Sequence, residues 1–202
     1  KMHLVGNPVR EEIIAIDRSA MKLSENSSAI KILVIGGSLG AKVLNDNLPL
    51  ALAKLDAKPA QITHQVGRAA IEQIIATYQA NLVKNVQVVN FIDDMAAAYA
   101  NADLIICRAG ASTVAEVAAA GIAAIFVPYP YAVDDHQTTN TRQLVAAGAA
   151  ILLLQAELSP AKLAELISGL NYTICQNMGE KARSLAILDS TQQICQQIIE
   201  QL

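Results

Sequence analysis

The sequence predicts an α/β fold: a mostly parallel sheet with helices on both faces. Three observations predict it. Short apolar runs recur along the chain, each closed by glycine or a polar cluster. Longer segments with helix-type apolar spacing lie between them. The runs are apolar throughout rather than alternating, as in strands that crossover helices bury on both faces.

The elements follow in order. Residues 11–23 read as a helix and 24–28 as a polar break. Residues 31–35 read as a buried strand ended by Gly36-Gly37, and 42–55 as a helix. Strand and helix then alternate: 61–66 and 69–80, 86–91 and 95–100, 103–107 and 112–120, 123–128 and 136–147. A last strand is expected at 149–155. Ser159-Pro160 supplies an N-cap and a proline at the first helical position, so a helix runs from there to 170. A final helix is expected over about 180–202. The whole reads as one domain, with a leading segment at 1–28, a core at 29–170 and C-terminal helices at 171–202. The chain opens on Lys1, and Val5-Gly6-Asn7-Pro8-Val9-Arg10 reads as a strand end and a turn. It is therefore expected to be a piece of a longer protein.

Composition narrows the function classes. With 202 residues the chain can bury a sizeable core. A formal net charge of −3 offers no broad basic field, so nucleic acid is not an expected partner. Cys107, Cys175 and Cys195 are widely spaced with no CxxC pair, which points away from zinc and toward reduced thiols in a cytosolic compartment. No apolar run has the length of a membrane span, and no signal peptide is recognisable.

In parallel sheets ligands bind beyond the carboxyl ends of the strands, so chemistry is sought just after each strand. Gly36-Gly37-Ser38-Leu39-Gly40 lies between a strand and a helix, the usual setting for an anion. It fits neither the Walker A spacing nor the dinucleotide fingerprint and lacks a phosphate-binding lysine. It is either a phosphate cradle of amides with the Ser38 hydroxyl or a tight packing turn. Glu116 follows Arg108-Ala109-Gly110-Ala111-Ser112-Thr113-Val114. Its carboxylate can accept both hydroxyls of a vicinal diol, or it can close a capping box with Thr113. Arg108 is a ligand contact or a surface ion pair. Asp134-Asp135-His136-Gln137 can read sugar hydroxyls or cap the next helix. Asp93 or Asp94 caps the helix at 95 by default. No metal motif and no nucleophile–base set is recognisable, so the pattern favours a binder of a phosphorylated, hydroxyl-rich ligand.

Taken in order, six segments resemble the C-terminal domain of the MurG family, the bacterial N-acetylglucosaminyltransferases of peptidoglycan synthesis. They are Val5-Gly6-Asn7-Pro8-Val9-Arg10, the Gly36–Ala41 loop, His64-Gln65-Val66-Gly67, Phe91-Ile92-Asp93-Asp94-Met95, the run from Arg108 to Glu116, and Asp135-His136-Gln137. The resemblance spans about residues 5–155 and implies one Rossmann-like half of a GT-B glycosyltransferase. It implies transfer of N-acetylglucosamine from UDP-GlcNAc to membrane-anchored lipid I, giving lipid II, with no metal and no cofactor. By matched motif, Arg10 touches the diphosphate, and Ser38 with the amides around Gly37 and Leu39 holds phosphate. Ile92 reads uracil through its backbone, and Glu116 chelates the ribose. Ala111, Ser112, Thr113 and Val114 present amides, and Gln137 with His136 meets the sugar. His64 and Arg108 are weaker carry-overs. Leu39 and Ala109 stand where glutamine and serine are common in the family.

No catalytic residue is expected in this chain, because the general base and lipid I site belong to the family's N-terminal domain. That domain would also make the peripheral contact with the cytoplasmic face of the bacterial inner membrane. The chain alone is then soluble, binds donor and does not turn over. A UDP-GlcNAc 2-epimerase-like enzyme and a stand-alone UDP-GlcNAc-binding subunit of a split transferase are the alternatives.

Overall fold

The computed structural model describes residues 5–18, 29–37, 41–68, 71–132 and 136–200. Six strands form one parallel sheet: β1 (Lys31–Ile35), β2 (Gln61–Gln65), β3 (Val86–Val89), β4 (Leu104–Cys107), β5 (Ala123–Phe126) and β6 (Ala150–Leu152). Their order is β3-β2-β1-β4-β5-β6, the doubly wound order with its switch point between β1 and β4. The helices are α1 (Glu11–Ile14), α2 (Lys42–Ala53), α3 (Ile71–Ala80), α4 (Met95–Ala100), α5 (Ala111–Ala120), α6 (His136–Ala146), α7 (Pro160–Ser168), α8 (Tyr172–Ser184) and α9 (Ser190–Ile199).

Strand alternation divides the core into two layers. Ile32, Val34, Ile62, Ile106 and Ile125 pack with Leu44 and Leu48 of α2, Tyr78 of α3 and Leu163 of α7. Leu33, Ile105, Cys107 and Phe126 face the other way, against Ile13 of α1, Tyr99 of α4, Val117 of α5 and Leu144 of α6. β4 and β5 are buried at every residue, which explains their unbroken apolar sequence. The second layer thins over β2 and β3. There Gln61, Thr63 and Gln87 line an open groove of about 290 Å³, so these outer strands carry polar residues at alternate positions.

α8 joins the two layers, giving Cys175 and Met178 to one and Ala182 to the other. It crosses the turn between α5 and β5 at Gly179. A Cβ there would lie 2.2 Å from the Gly121 carbonyl oxygen, so only glycine fits. Gly121 itself closes α5 in the left-handed conformation, with φ of 62°.

Two expected helices differ. The first stops at Ile14, and residues 15–18 are not helical; 19–23 lie outside the described residues. Tertiary hydrogen bonds hold the chain out of the helix here. Arg183 Nη2 donates to the Ile14 carbonyl at 2.8 Å. Arg18 reaches the carbonyls of Tyr99, Ala102 and Ala120 at 2.6, 2.8 and 2.8 Å. The helix expected over 180–202 is two helices, with α8 starting eight residues earlier at Tyr172 and a break before Ser190. Asn171 sets that start by accepting from the Ile174 amide at 2.9 Å.

Candidate functional site

Register places the candidate loops side by side. Gln65, Ile35, Cys107 and Phe126 are paired across β2, β1, β4 and β5, so the chains leaving these strands emerge in one row. At the switch point, Gly36-Gly37 therefore stands beside Arg108-Ala109-Gly110.

The first loop is pinned at its base by the nearly buried Gln65. Gly36 N donates to Gln65 Oε1 at 3.2 Å, and Gln65 Nε2 donates to the carbonyls of Gly37 at 3.0 Å and Asn90 at 3.2 Å. Gly37 has φ of 80°, with no atom within 4 Å of where a Cβ would stand. Backbone conformation, not crowding, selects glycine, and the space beside it is open. Ser38 and Leu39 lie outside the described residues, as do Gly40, Asp134 and Asp135.

α5 begins at Ala111, with Gly110 as an N-cap that offers no side-chain hydrogen bond. The amides of Ala111, Ser112 and Thr113 have no protein acceptor among the described residues. Val114 is corrected as an amide donor: its N–H is engaged by the Gly110 carbonyl at 2.9 Å. The capping-box alternative for Glu116 also fails, because Thr113 is inside the helix rather than at its cap.

Glu116 is instead the meeting point of three elements. Arg10, just before α1, donates from Nη2 to Oε1 at 3.1 Å. Tyr99 of α4 donates from its hydroxyl to Oε2 at 3.0 Å. Burial first, and the Glu116 charge second, hold the Tyr99 phenol well above its ordinary pKa, so it is the donor in this bond. The Arg10 side chain is 51% exposed and that of Glu116 18%. Such a half-exposed pair contributes on the order of 0–1 kcal/mol, so a ligand can displace Arg10 while the carboxylate stays in place.

Among the described residues Arg108 has no carboxylate partner; it is half-buried and held by carbonyls and a ring. Its Nη1 donates to the carbonyls of Val127 and Pro128 at 3.1 and 3.0 Å, and its guanidinium lies 5.5 Å from the Tyr129 ring centre. Gln137 in the first turn of α6 ties the loops after β4 and β5: its Oε1 accepts from Ala109 N at 3.3 Å and Tyr129 N at 2.9 Å. That orientation leaves its NH₂ group available to donate. Asn140, one turn on, donates to the Ala109 carbonyl at 3.0 Å. His136 opens α6 on its exposed side.

Ile92 rests partly buried against the second layer, and its main chain has no protein partner among the described residues. Asp94 is the cap of α4, accepting from Ala97 N at 2.8 Å. His64 lies away from this site. It is fully buried, with Nδ1 2.8 Å from the Tyr78 hydroxyl, and burial lowers its pKa to about 4.

Tyr99 and Asn140 had no sequence signal of their own, and Gln65 stood in a matched segment without an assigned role. A cavity of about 640 Å³ lies at the opposite, amino end of β4 and β5, lined in part by Arg18, Asp103, Gly121, Cys175 and Arg183. Two of its charged groups are engaged structurally: Asp103 accepts from the Lys31 amide at 2.7 Å, and Arg18 holds three carbonyls. Among the described residues, no three His, Cys, Asp or Glu side chains converge as a metal site would require.

Comparison with known proteins bears on the fold and the family. A family model, the glycosyltransferase family 28 C-terminal domain, matches residues 31–201. A curated relative from Dechloromonas aromatica (strain RCB) is 52% identical over 198 residues, 96% of this chain and 56% of its own length. One from Neisseria meningitidis serogroup B is 49% identical, covering 97% of this chain and 55% of its own. Both are named UDP-N-acetylglucosamine–N-acetylmuramyl-(pentapeptide) pyrophosphoryl-undecaprenol N-acetylglucosamine transferase. The chain thus spans about half the length of the curated relatives it matches. The crystal structure of Acinetobacter baumannii MurG superposes with a TM-score of 0.86 at 45% identity, over 93% of this chain and 55% of that one. The glycosyltransferase WaaG, at 18% identity and a TM-score of 0.62, shares the fold. With its sheet and nearly its whole length matched, the chain belongs to glycosyltransferase family 28 and comprises that family's C-terminal domain.

Proposed function

We propose that this chain is the donor-binding half of an N-acetylglucosaminyltransferase that acts on a lipid-linked muramyl-pentapeptide in peptidoglycan synthesis. The observation that carries the reading is the anchored Glu116 carboxylate on α5, whose first-turn amides lack protein acceptors. A nucleoside diphosphate sugar needs both groups: acceptors for a ribose diol and donors for two phosphates.

In this reading Glu116 accepts the ribose hydroxyls and Ile92 pairs with uracil through its main chain. The amides of Ala111, Ser112 and Thr113, the Gly37–Leu39 loop and Arg10 hold the diphosphate. Gln137, fixed through its carbonyl, donates from its NH₂ to N-acetylglucosamine, with His136 beside it. As the glycosidic bond to UDP breaks, charge grows on the β-phosphate, and these same donors stabilise it most in the transition state. The acceptor and the base that removes its proton would come from the half that the longer relatives possess. The names of those relatives specify an undecaprenol-linked acceptor, which supports peripheral action at the cytoplasmic face of a bacterial inner membrane.

Calorimetric titration with UDP-N-acetylglucosamine, UDP-N-acetylgalactosamine and UDP-glucose tests the reading. Binding should require uridine and be tightest for N-acetylglucosamine. Absence of heat with all three at roughly millimolar ligand would refute it.

A further inference from the structure

We propose that Tyr99 is a positioning residue for donor recognition: its hydroxyl holds Glu116 Oε2 so that the carboxylate is already aimed when a ribose arrives. The inference rests on the ribose-binding reading of Glu116 given above.

Three observations carry it. Tyr99 is 1% exposed, and its ring is fixed in the layer that contains Leu33 and Cys107. Its main chain is held as well: Arg18 Nη2 donates to the Tyr99 carbonyl at 2.6 Å, and Asp94 caps the start of α4. The hydroxyl therefore stands on a rigid support and reaches Glu116 at 3.0 Å. The other partner cannot play that part. Arg10 is half exposed, and in the same reading it turns to the phosphates when the donor binds.

Lone-pair counting allows all the bonds at once. A carboxylate offers about four acceptor positions, of which Tyr99 uses one and Arg10 another. Once Arg10 leaves, a vicinal diol can donate twice without dislodging Tyr99. A glutamate without this anchor would search its rotamers and lose that freedom on binding, so the anchor contributes affinity through preorganisation.

The test titrates the 202-residue chain with UDP and with 2′,3′-dideoxy-UDP, and reads the ratio of the two dissociation constants. The parent should prefer UDP by roughly tenfold or more. Tyr99→Phe should leave the dideoxy nucleotide's affinity unchanged and reduce the preference by about fivefold. Arg10→Met should weaken both nucleotides and keep the preference. Equal weakening of both nucleotides by Tyr99→Phe would indicate a structural role only and overturn the proposal, as would an unchanged preference. Loss of the preference in Arg10→Met would also overturn it, since Arg10 would then be the anchor. That arm alters an exposed side chain, so the proposal can still be overturned even if the buried variant fails to fold. A parent that binds UDP without preference refutes the Glu116 reading before any substitution is made, and this proposal with it.

Discussion

If Glu116 accepts the ribose hydroxyls as proposed, truncating it to alanine removes the acceptor for both. Hydrogen bonds to a charged group contribute about 1.5–3 kcal/mol each, so UDP should bind at least tenfold more weakly while inorganic phosphate is unaffected. Retained UDP affinity in Glu116→Ala would return the residue to a purely structural role. His64 yields a different residue-scale prediction. It is buried and neutral, with its pKa lowered to about 4 by desolvation, and its Nε2 has no partner among the described residues. Below the ordinary value of 6.5 the unfolded chain takes up a proton that the folded chain refuses. This contribution to stability is fully present above 6.5 and is lost as pH falls toward 4, about 3 kcal/mol in all. Urea melts of the parent and His64→Gln between these limits should show the difference in slope. In the sequence Arg108 stands out because it follows a strand, and His64 because it belongs to a matched motif. Neither signal tells which face of β2 buries an imidazole, or that Arg108 would bond the carbonyls of Val127 and Pro128. Tyr99 and Asn140 were equally silent, because each acts on a partner from another element, 17 and 31 residues away.

At the scale of elements, the glycine contact between α8 and the α5–β5 turn predicts a large effect from a small substitution. Gly179→Ala would push a methyl group into the Gly121 backbone, which has no rotamer with which to yield. Overpacking of this kind costs about 1–3 kcal/mol, and calorimetry should show a fall of several degrees in Tm. Asn171→Ala, which deletes the α8 cap, should cost about 1 kcal/mol in the same assay. Strand and helix alternation was legible from Lys31 to Leu152 because the strands are apolar and glycine or polar residues punctuate them, and α7 was legible from its Ser159 cap and Pro160. The ends of the chain were not. Asn171 is a cap that the reading passed over, and α1 ends where Arg18 and Arg183 claim carbonyls from other elements. Apolar periodicity reports local burial; it carries no record of a guanidinium arriving from a distant part of the chain.

For the molecule as a whole, binding and turnover should separate. The chain should bind UDP-N-acetylglucosamine yet release no UDP when a lipid-linked muramyl-pentapeptide is supplied in vesicles, since positioning and deprotonating the acceptor are separate tasks. A coupled assay for UDP release checks this, and sustained release by the chain alone would contradict it. One feature of the scaffold bears on why an acidic protein would accept a doubly charged nucleotide. The carboxyl end of α5 is grounded by two cations: Arg183 Nη1 bonds the Ala119 carbonyl, and Arg18 bonds that of Ala120. No acidic side chain sits in its first turn. An α-helix carries about half a unit of charge of opposite sign at each pole. Here the negative pole is compensated within the protein and the positive pole is left uncancelled at the carboxyl ends of the strands. Although the net charge is −3, a diphosphate arriving as proposed would meet this helix as a one-ended electrode, with the Arg10 cation beside it.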